Sequence, residues 1–375
     1  MPDSASVLTI RGNPYDRGRI YGSHARDLIR RGVAHYVGMW QRNTGKSEAD
    51  LFDRVVKFKP VVADYDDLIM QEIEGIAAGA KLPLNEVLLL NARYEIMLVA
   101  FFAGGGAAAR GECTSLAAAA EATTDGHTYV AQNWDITAEA GQRCVLLEVL
   151  QDDRPNIVAH VEAGFVGHKG LNSAGLGICV NAIGSQHDEF SPRVPVWVLA
   201  RGALNCTTID EAQHALDRAE RAASINFTIG SNAGEVAALE VTPVDVERVA
   251  PVNGRIAHAN VFCDLREGRG ITDELARRFP VFADRAERAR ELINGAEVNL
   301  ETLMEMFKDR ANVPESICRH AADQPPEAPE ALCMETVASI IMDLTDRTVH
   351  ITDGPPDRGE YRKHTFESLR GTGRC

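Results

Sequence analysis

A chain of 375 residues, 45% hydrophobic and 25% charged, has enough apolar material for a large core and argues against long disorder. Its formal net charge of −15 disfavours nucleic acid and anionic membrane as partners, because both require a basic face. The opening MPDSASVLTIRGNPYDRGRIYG lacks a basic head followed by an apolar run, so no signal peptide is expected. No apolar run approaches the roughly 18 residues of a spanning helix. Eight cysteines, at 113, 144, 179, 206, 263, 318, 333 and 375, form no C-x-x-C pair and suggest reduced thiols and a cytoplasmic location.

Residues 7–12 suggest a short strand, followed by a turn at Gly12-Asn13-Pro14. Helical spacing runs from Asp16 to about Arg42, where Gly18, Gly22 and Gly32 weaken propensity and suggest close packing. Two more helices are predicted from Asp50 to Phe58 and from Tyr65 to Ala78. Asn85 is expected to cap a fourth, reaching Leu98. Residues 1–112 are thus mainly helical and close in the Gly/Ala tract Ala103 to Ala109. The period then changes. Short strands are predicted at 128–134, 143–150, 156–163, 175–182, 225–231, 236–241, 246–250 and 255–262, with helices at 195–205, 208–222, 272–294 and 299–309. A last hairpin is expected at 336–352, and Pro325 to Pro329 forms a loop. Antiparallel strands flanked by helical blocks argue for an α+β layered fold.

The candidate nucleophile is Cys113, in Arg110-Gly111-Glu112-Cys113-Thr114-Ser115, followed by a turn and then by Gln132-Asn133-Trp134-Asp135. If the chain cuts itself between Glu112 and Cys113, the freed α-amine, with an ordinary pKa of about 7.7–8.0, can take the thiol proton and no separate histidine is needed. Before the cut, the same thiol could attack the Glu112 carbonyl, with strain in the linker favouring an N-to-S acyl shift. Asn181 and Asn260, each near a predicted strand end, are candidate oxyanion donors, since an amide donates without titrating. Asp135 is a candidate to hold the ammonium. The same residues also suit ordinary duties: a small buried thiol, strand-end asparagines and a capping carboxylate. The chain has no G-x-S-x-G and no H-E-x-x-H, which disfavours a serine or zinc hydrolase.

The stretch Gly111 to Ser115 with Gln132 to Asp135 resembles the acyl-CoA:6-aminopenicillanic acid acyltransferase family. This is the C45 peptidase group of N-terminal nucleophile (Ntn) hydrolases, near the choloylglycine hydrolases and penicillin V acylases. The likeness extends to Arg11 to Gly18, Gly170 to Gly177, His258-Ala259-Asn260, Ser316 to His320, Glu335 to Ser339 and Gly354-Pro355-Pro356. It implies an αββα Ntn sandwich made of two antiparallel sheets between helical layers. It also implies a precursor cut before Cys113 into a helical α chain (1–112) and a β chain (113–375) that stay together as one structural unit. The nucleophile would be Cys113, the acid behind its amine Asp135, and the oxyanion asparagines Asn260 and Asn181. Arg319 would stabilise thiolate or grip an anionic substrate. The expected activity is hydrolysis or transfer of an acyl group on a small N-acylated substrate through a Cys113 thioester, with acyl-CoA as a possible donor and no cofactor or metal. Glu112 stands where the penicillin enzyme has glycine, which makes strained backbone at the cleavage site harder to reach. The rival expectation is an unprocessed, non-catalytic binding protein on the same fold.

Overall fold

The structure, a computed structural model, describes residues 7–102, 112–265, 268–325 and 333–366. The Gly/Ala tract, the opening six residues, Pro326 to Pro329 and the C-terminal Gly-Thr-Gly-Arg-Cys lie outside the described residues. No described helix is long and apolar enough to cross a membrane.

The N-terminal part holds β1 (Leu8–Ile10) and seven helices: α1 (Pro14–His24), α2 (Arg26–Thr44), α3 (Glu48–Val55), α4 (Phe58–Tyr65), α5 (Asp67–Ala80), α6 (Leu84–Asn91) and α7 (Arg93–Phe102). The expected long first helix is broken at Ala25, which carries no break signal. Asn85 caps nothing. Pro83, extended at φ −55° and ψ 145°, takes the capping position, and the helix ends at Asn91 instead of Leu98.

Gly18 and Gly22 of α1 meet Gly75 and Gly79 of α5 back to back. A Cβ on any of the four would fall on a backbone carbonyl oxygen of the other helix: Glu72, Ile76, Tyr15 or Arg19. This contact explains the propensity-poor glycines in α1. It orients α1 so that Arg17 reaches Glu72, which also takes a bidentate hold on Arg201 at 2.8 and 3.0 Å.

From residue 112 the chain builds two sheets, with a short helix, α8 (Ala138–Gly141), among their strands. The first comprises β2 (Glu112–Ala118), β3 (Tyr129–Thr137), β11 (Arg255–His258), β12 (Met334–Asp343), β13 (Thr348–Ile351) and β14 (Arg362–Thr365), in the order β11-β2-β3-β12-β13-β14. The second comprises β1, β4 (Cys144–Val149), β5 (Ile157–Glu162), β6 (Lys169–Asn172), β7 (Leu176–Ala182), β8 (Ile225–Ser231), β9 (Val236–Val241) and β10 (Val246–Val249), in that order. All its pairings are antiparallel except β1 with β4, a correction to the expected purely antiparallel pair of sheets. Because strand side chains alternate, each sheet has two faces. Val158, Leu171, Cys179 and Ala238 of one sheet interdigitate with Ala117, Val130, Ile340 and Met342 of the other. The opposite face of the eight-stranded sheet packs on the N-terminal helices with α9 (Val196–Leu204) and α10 (Ile209–Asp217). The opposite face of the six-stranded sheet packs on α12 (Val281–Gly295) and α13 (Leu300–Met306). These four layers form the αββα sandwich that the resemblance implies. The expected helix at 272–294 is instead α11 (Glu274–Arg278) and α12. Pro280 has no N–H to continue the first of them.

The glycine contact supplies a test of the helical layer. In an exposed helix, Gly→Ala would stabilise by up to about 1 kcal/mol through propensity. At Gly75 the new methyl meets the Tyr15 carbonyl, and overpacking of about 1–3 kcal/mol or more opposes that gain. Gly75→Ala is therefore expected to lower the urea midpoint, and an unchanged or higher midpoint would show that the two helices can separate freely.

Candidate active site

Cys113 lies in β2, a strand absent from those predicted. Glu112 to Ala118 is alanine-rich and of low strand propensity, but β3 pairs on one side and β11 on the other. The register sets Glu112 opposite Asp135 and Cys113 opposite Trp134. Alternation then sends Cys113 and Ser115 toward the space between the sheets, while Asp135 faces the α12 side.

The structure brings four of the expected residues together. The Cys113 N–H donates to Asn260 Oδ1 at 3.1 Å, and its thiol donates to the Val180 carbonyl at 3.3 Å. Asn181 Nδ2 donates to the Cys113 carbonyl at 3.2 Å, and Asn260 Nδ2 donates to the Ala182 carbonyl at 2.9 Å. Each asparagine, expected as an oxyanion donor, thus commits one of its two amide hydrogens to backbone. Asn181 is held in turn by Ser115 Oγ at 2.6 Å and Asn226 Nδ2 at 3.1 Å. Asp135 Oδ1 accepts from Thr336 Oγ1 at 2.6 Å. Its Oδ2 has no hydrogen-bond partner among the described residues, and Arg285 lies 3.9 Å away.

Arg319 stands apart from its expected role. Its backbone brackets Thr336, donating to the hydroxyl at 2.9 Å and accepting from the Thr336 N–H at 3.0 Å. Its guanidinium pairs with Glu315 at 2.9 Å and does not line the Cys113 cavity. An arginine that does reach the Cys113 partners is Arg285, which donates to Asn260 Oδ1 at 2.7 Å. Sequence reasoning missed it. The available signal was a charge on the apolar stripe of α12, three residues after Phe282 and four before Ala289.

A largely apolar cavity of about 70 Å³ opens beside the thiol. Its walls include Tyr94, Met97, Trp134, His168, Trp197, Leu275, Phe279 and Phe282, with Arg93, Asp188 and Glu274 as charged members. Arg93 pairs with Glu162 at 3.1 Å and lies over the rings of Tyr36, Phe165 and Trp197. A larger cleft of about 850 Å³, lined by Arg11, Glu148, His160 and Arg362, holds none of the assembled residues. Three mixed clusters could ligate a metal: Glu240 with His258 and Cys263, Cys318 with His320 and Asp357, and His127 with Asp343 and Asp346. None of them lines the Cys113 cavity. Cys113, Cys144, Cys179, Cys206, Cys263 and Cys318 are free thiols.

With this geometry in place, comparison with known proteins is informative. The acyl-coenzyme A:6-aminopenicillanic acid acyl-transferase family matches residues 122–358, well over half of the chain. The chain belongs to this family of acyl-transferring enzymes. The acyl-coenzyme A:6-aminopenicillanic-acid-acyltransferase 40 kDa form of Emericella nidulans is 28% identical over 364 residues, covering 96% of each chain. Among solved structures, penicillin V acylase from Agrobacterium tumefaciens matches 64% of this chain and 83% of its own at 14% identity and TM-score 0.40. A variant of conjugated bile acid hydrolase from Clostridium perfringens matches 68% and 97% at 13% identity and TM-score 0.43.

Burial dominates the electrostatics of this family member. It pushes the Cys113 thiol up to about 11, with the Asp135 charge adding to the effect, so the thiol is neutral at pH 7. It lifts the Asp135 carboxyl to about 7, with Arg285 and the Thr336 hydroxyl pulling down. Folded Asp135 therefore keeps a proton that the unfolded chain releases near its ordinary value of 3.8. Stability from that proton is full below the unfolded value and is lost as pH rises through about 7. Glu95 and Asp188, lifted to about 7 and about 6 by burial, act in the same direction. In uncut Cys113→Ala protein, the melting temperature is expected to fall from pH 4 to pH 7, and adding Asp135→Asn should flatten that fall. Parallel curves for the two proteins would show that Asp135 is ionised throughout.

Proposed function

We propose that this enzyme is made as a precursor, cuts itself between Glu112 and Cys113, and then hydrolyses or transfers an acyl group through a thioester on Cys113. The α chain (1–112) and the β chain (113–375) remain one unit as a heterodimer. Supporting this is the core shared by α2, α5 and α7 with the eight-stranded sheet, together with the pairing of β1 on β4.

The observation that carries the reading is the set of partners around one backbone nitrogen. The nitrogen to be freed already sits 3.1 Å from Asn260 Oδ1, its side-chain sulfur lines the apolar cavity, and Asp135 lies opposite the bond to be cut with one carboxylate oxygen that accepts no hydrogen bond from a described residue. Once cut, the amine takes the thiol proton and Sγ adds to the substrate acyl carbon. The proton passes to the leaving amine, the acyl group stays on sulfur, and water or a second amine then breaks the thioester. A thiol held near 11 needs such a base at contact distance. Asp135 balances the ammonium, while Arg285 fixes the oxygen end of Asn260 toward the amine. Arg319 acts through Thr336, whose hydroxyl orients Asp135. Asn181 and Asn260 each keep a second amide hydrogen for the oxyanion.

Aromatic and aliphatic walls suit an apolar acyl group, so the substrate class is a small N-acylated amine with such a chain. The Emericella nidulans relative is named for acyl-coenzyme A and 6-aminopenicillanic acid. That makes an acyl thioester a reasonable donor here and transfer a reasonable outcome wherever the cavity excludes water. Free thiols at Cys113, Cys144, Cys179, Cys206, Cys263 and Cys318 fit a reducing, cytoplasmic setting.

Intact-mass analysis of the purified protein tests the scheme. Two species, 1–112 and 113–375, are expected, with Cys113→Ala remaining one chain and losing all turnover on a panel of N-acyl amines. Identical cleavage of the alanine variant would assign the cut to another protease, and turnover near wild type would remove Cys113 from the mechanism.

A further inference from the structure

His168 and Lys169 stand at the start of β6 with no part in the scheme above. Both are buried, at 2% and 0% exposure. The Lys169 ammonium lies 3.8 Å from the centre of the Trp134 ring, and Trp134 is the cross-strand partner of Cys113. No carboxylate lies within ion-pair distance of that ammonium among the described residues. Its polar contact is His168 Nδ1 at 3.1 Å. A cation buried on those terms is costly to the fold, and such groups gather at functional sites. The His168 ring is wedged between Trp134 and Trp197, at 4.9 and 4.5 Å between centres, and lines the same cavity as Cys113. An ammonium can only donate, so Nδ1 must accept and the ring must carry its hydrogen on Nε2. Nε2 makes no hydrogen bond with any described residue.

We propose that His168 is a further catalytic residue. Its Nε2–H donates a hydrogen bond to the substrate's acyl oxygen as Cys113 Sγ adds to the carbonyl carbon, and Lys169 is the positioning residue that fixes this tautomer. The inference rests on the Cys113 thioester reading. No proton need transfer: the Nε2–H stays on nitrogen while negative charge grows on the oxygen and collapses back. Asn181 and Asn260 each have one amide hydrogen committed to backbone. His168 supplies a donor whose hydrogen is not committed elsewhere. Burial and the neighbouring Lys169 charge hold the imidazole neutral, as a hydrogen-bond donor of fixed tautomer requires.

The test compares two reactions at the same sulfur, both read by intact mass on the processed protein. Acylation by p-nitrophenyl butyrate develops an oxyanion, whereas alkylation by iodoacetamide does not. His168→Phe should slow acylation about a hundredfold, the scale of one lost oxyanion donor, and leave alkylation at its wild-type rate. His168→Gln, which offers an amide N–H near the Nε2 position, should recover part of the loss and serves if the phenylalanine variant fails to fold. Lys169→Met removes the charge at similar length, and should slow acylation about tenfold while turning the His168 nitrogen NMR signals from one tautomer to a mixture. Acylation unchanged in the His168 variants, or acylation and alkylation falling together, overturns the donor role. An Nδ1–H signal in the wild type overturns the part given to Lys169. A wild type that p-nitrophenyl butyrate does not acylate on Cys113 defeats the thioester reading itself, and this inference with it.

Discussion

The register between β2 and β3 is the constraint on which the site depends. Sliding it by one residue would exchange the two faces of β2. Cys113 would leave the space between the sheets, and Ser115 would no longer reach Asn181. As paired, Glu112 lies opposite Asp135 and Cys113 opposite Trp134. One residue therefore offers its sulfur to one side of the sheet and its backbone nitrogen to groups at the strand end. Asn260, two residues past β11, and Asn181, near the end of β7, arrive from both sheets to grip that residue. The sandwich is thus closed across Cys113, and any change in how the sheets stack is felt there.

Much of this was legible from the chain. The change of period after residue 112, the strands at 225–231 and 236–241 and the closing hairpin follow from alternation and turn residues. Gly18 and Gly22 announced a close helix contact. The strand that carries Cys113 did not announce itself, because Ala117 and Ala118 have little strand preference and partners on both sides supply what propensity lacks. Breaks inside helices were equally hidden where no proline or glycine marks them, as at Ala25 and Ala92. Of the expected site residues, Cys113, Asp135, Asn181 and Asn260 converge. Arg319 comes close only through Thr336. Arg285 and the His168–Lys169 couple were invisible because their significance lies in what they face, and one sequence does not show facing partners.

Dryness governs the chemistry of this pocket more than any single charge. The same loss of water drives the Cys113 thiol up to about 11, the Asp135 carboxyl up to about 7 and the Lys169 ammonium down to about 8. Each group is pushed toward its neutral form, because a buried charge lacks the solvation that water would give. A thiolate waiting in the pocket is therefore disfavoured at neutral pH. In the proposed scheme the thiolate has to be generated during the attack, by a base close enough that the proton moves as the carbon–sulfur bond forms. An amine on the same residue meets that condition whatever the fluctuation of the surrounding loops, since two bonds separate the nitrogen from the carbon that carries the sulfur. A fixed positive charge would suit a resident thiolate. Arg285 and Lys169 lend some of that charge but burial outweighs them, so in the proposed scheme the donors act mainly on charge that develops at the carbonyl oxygen.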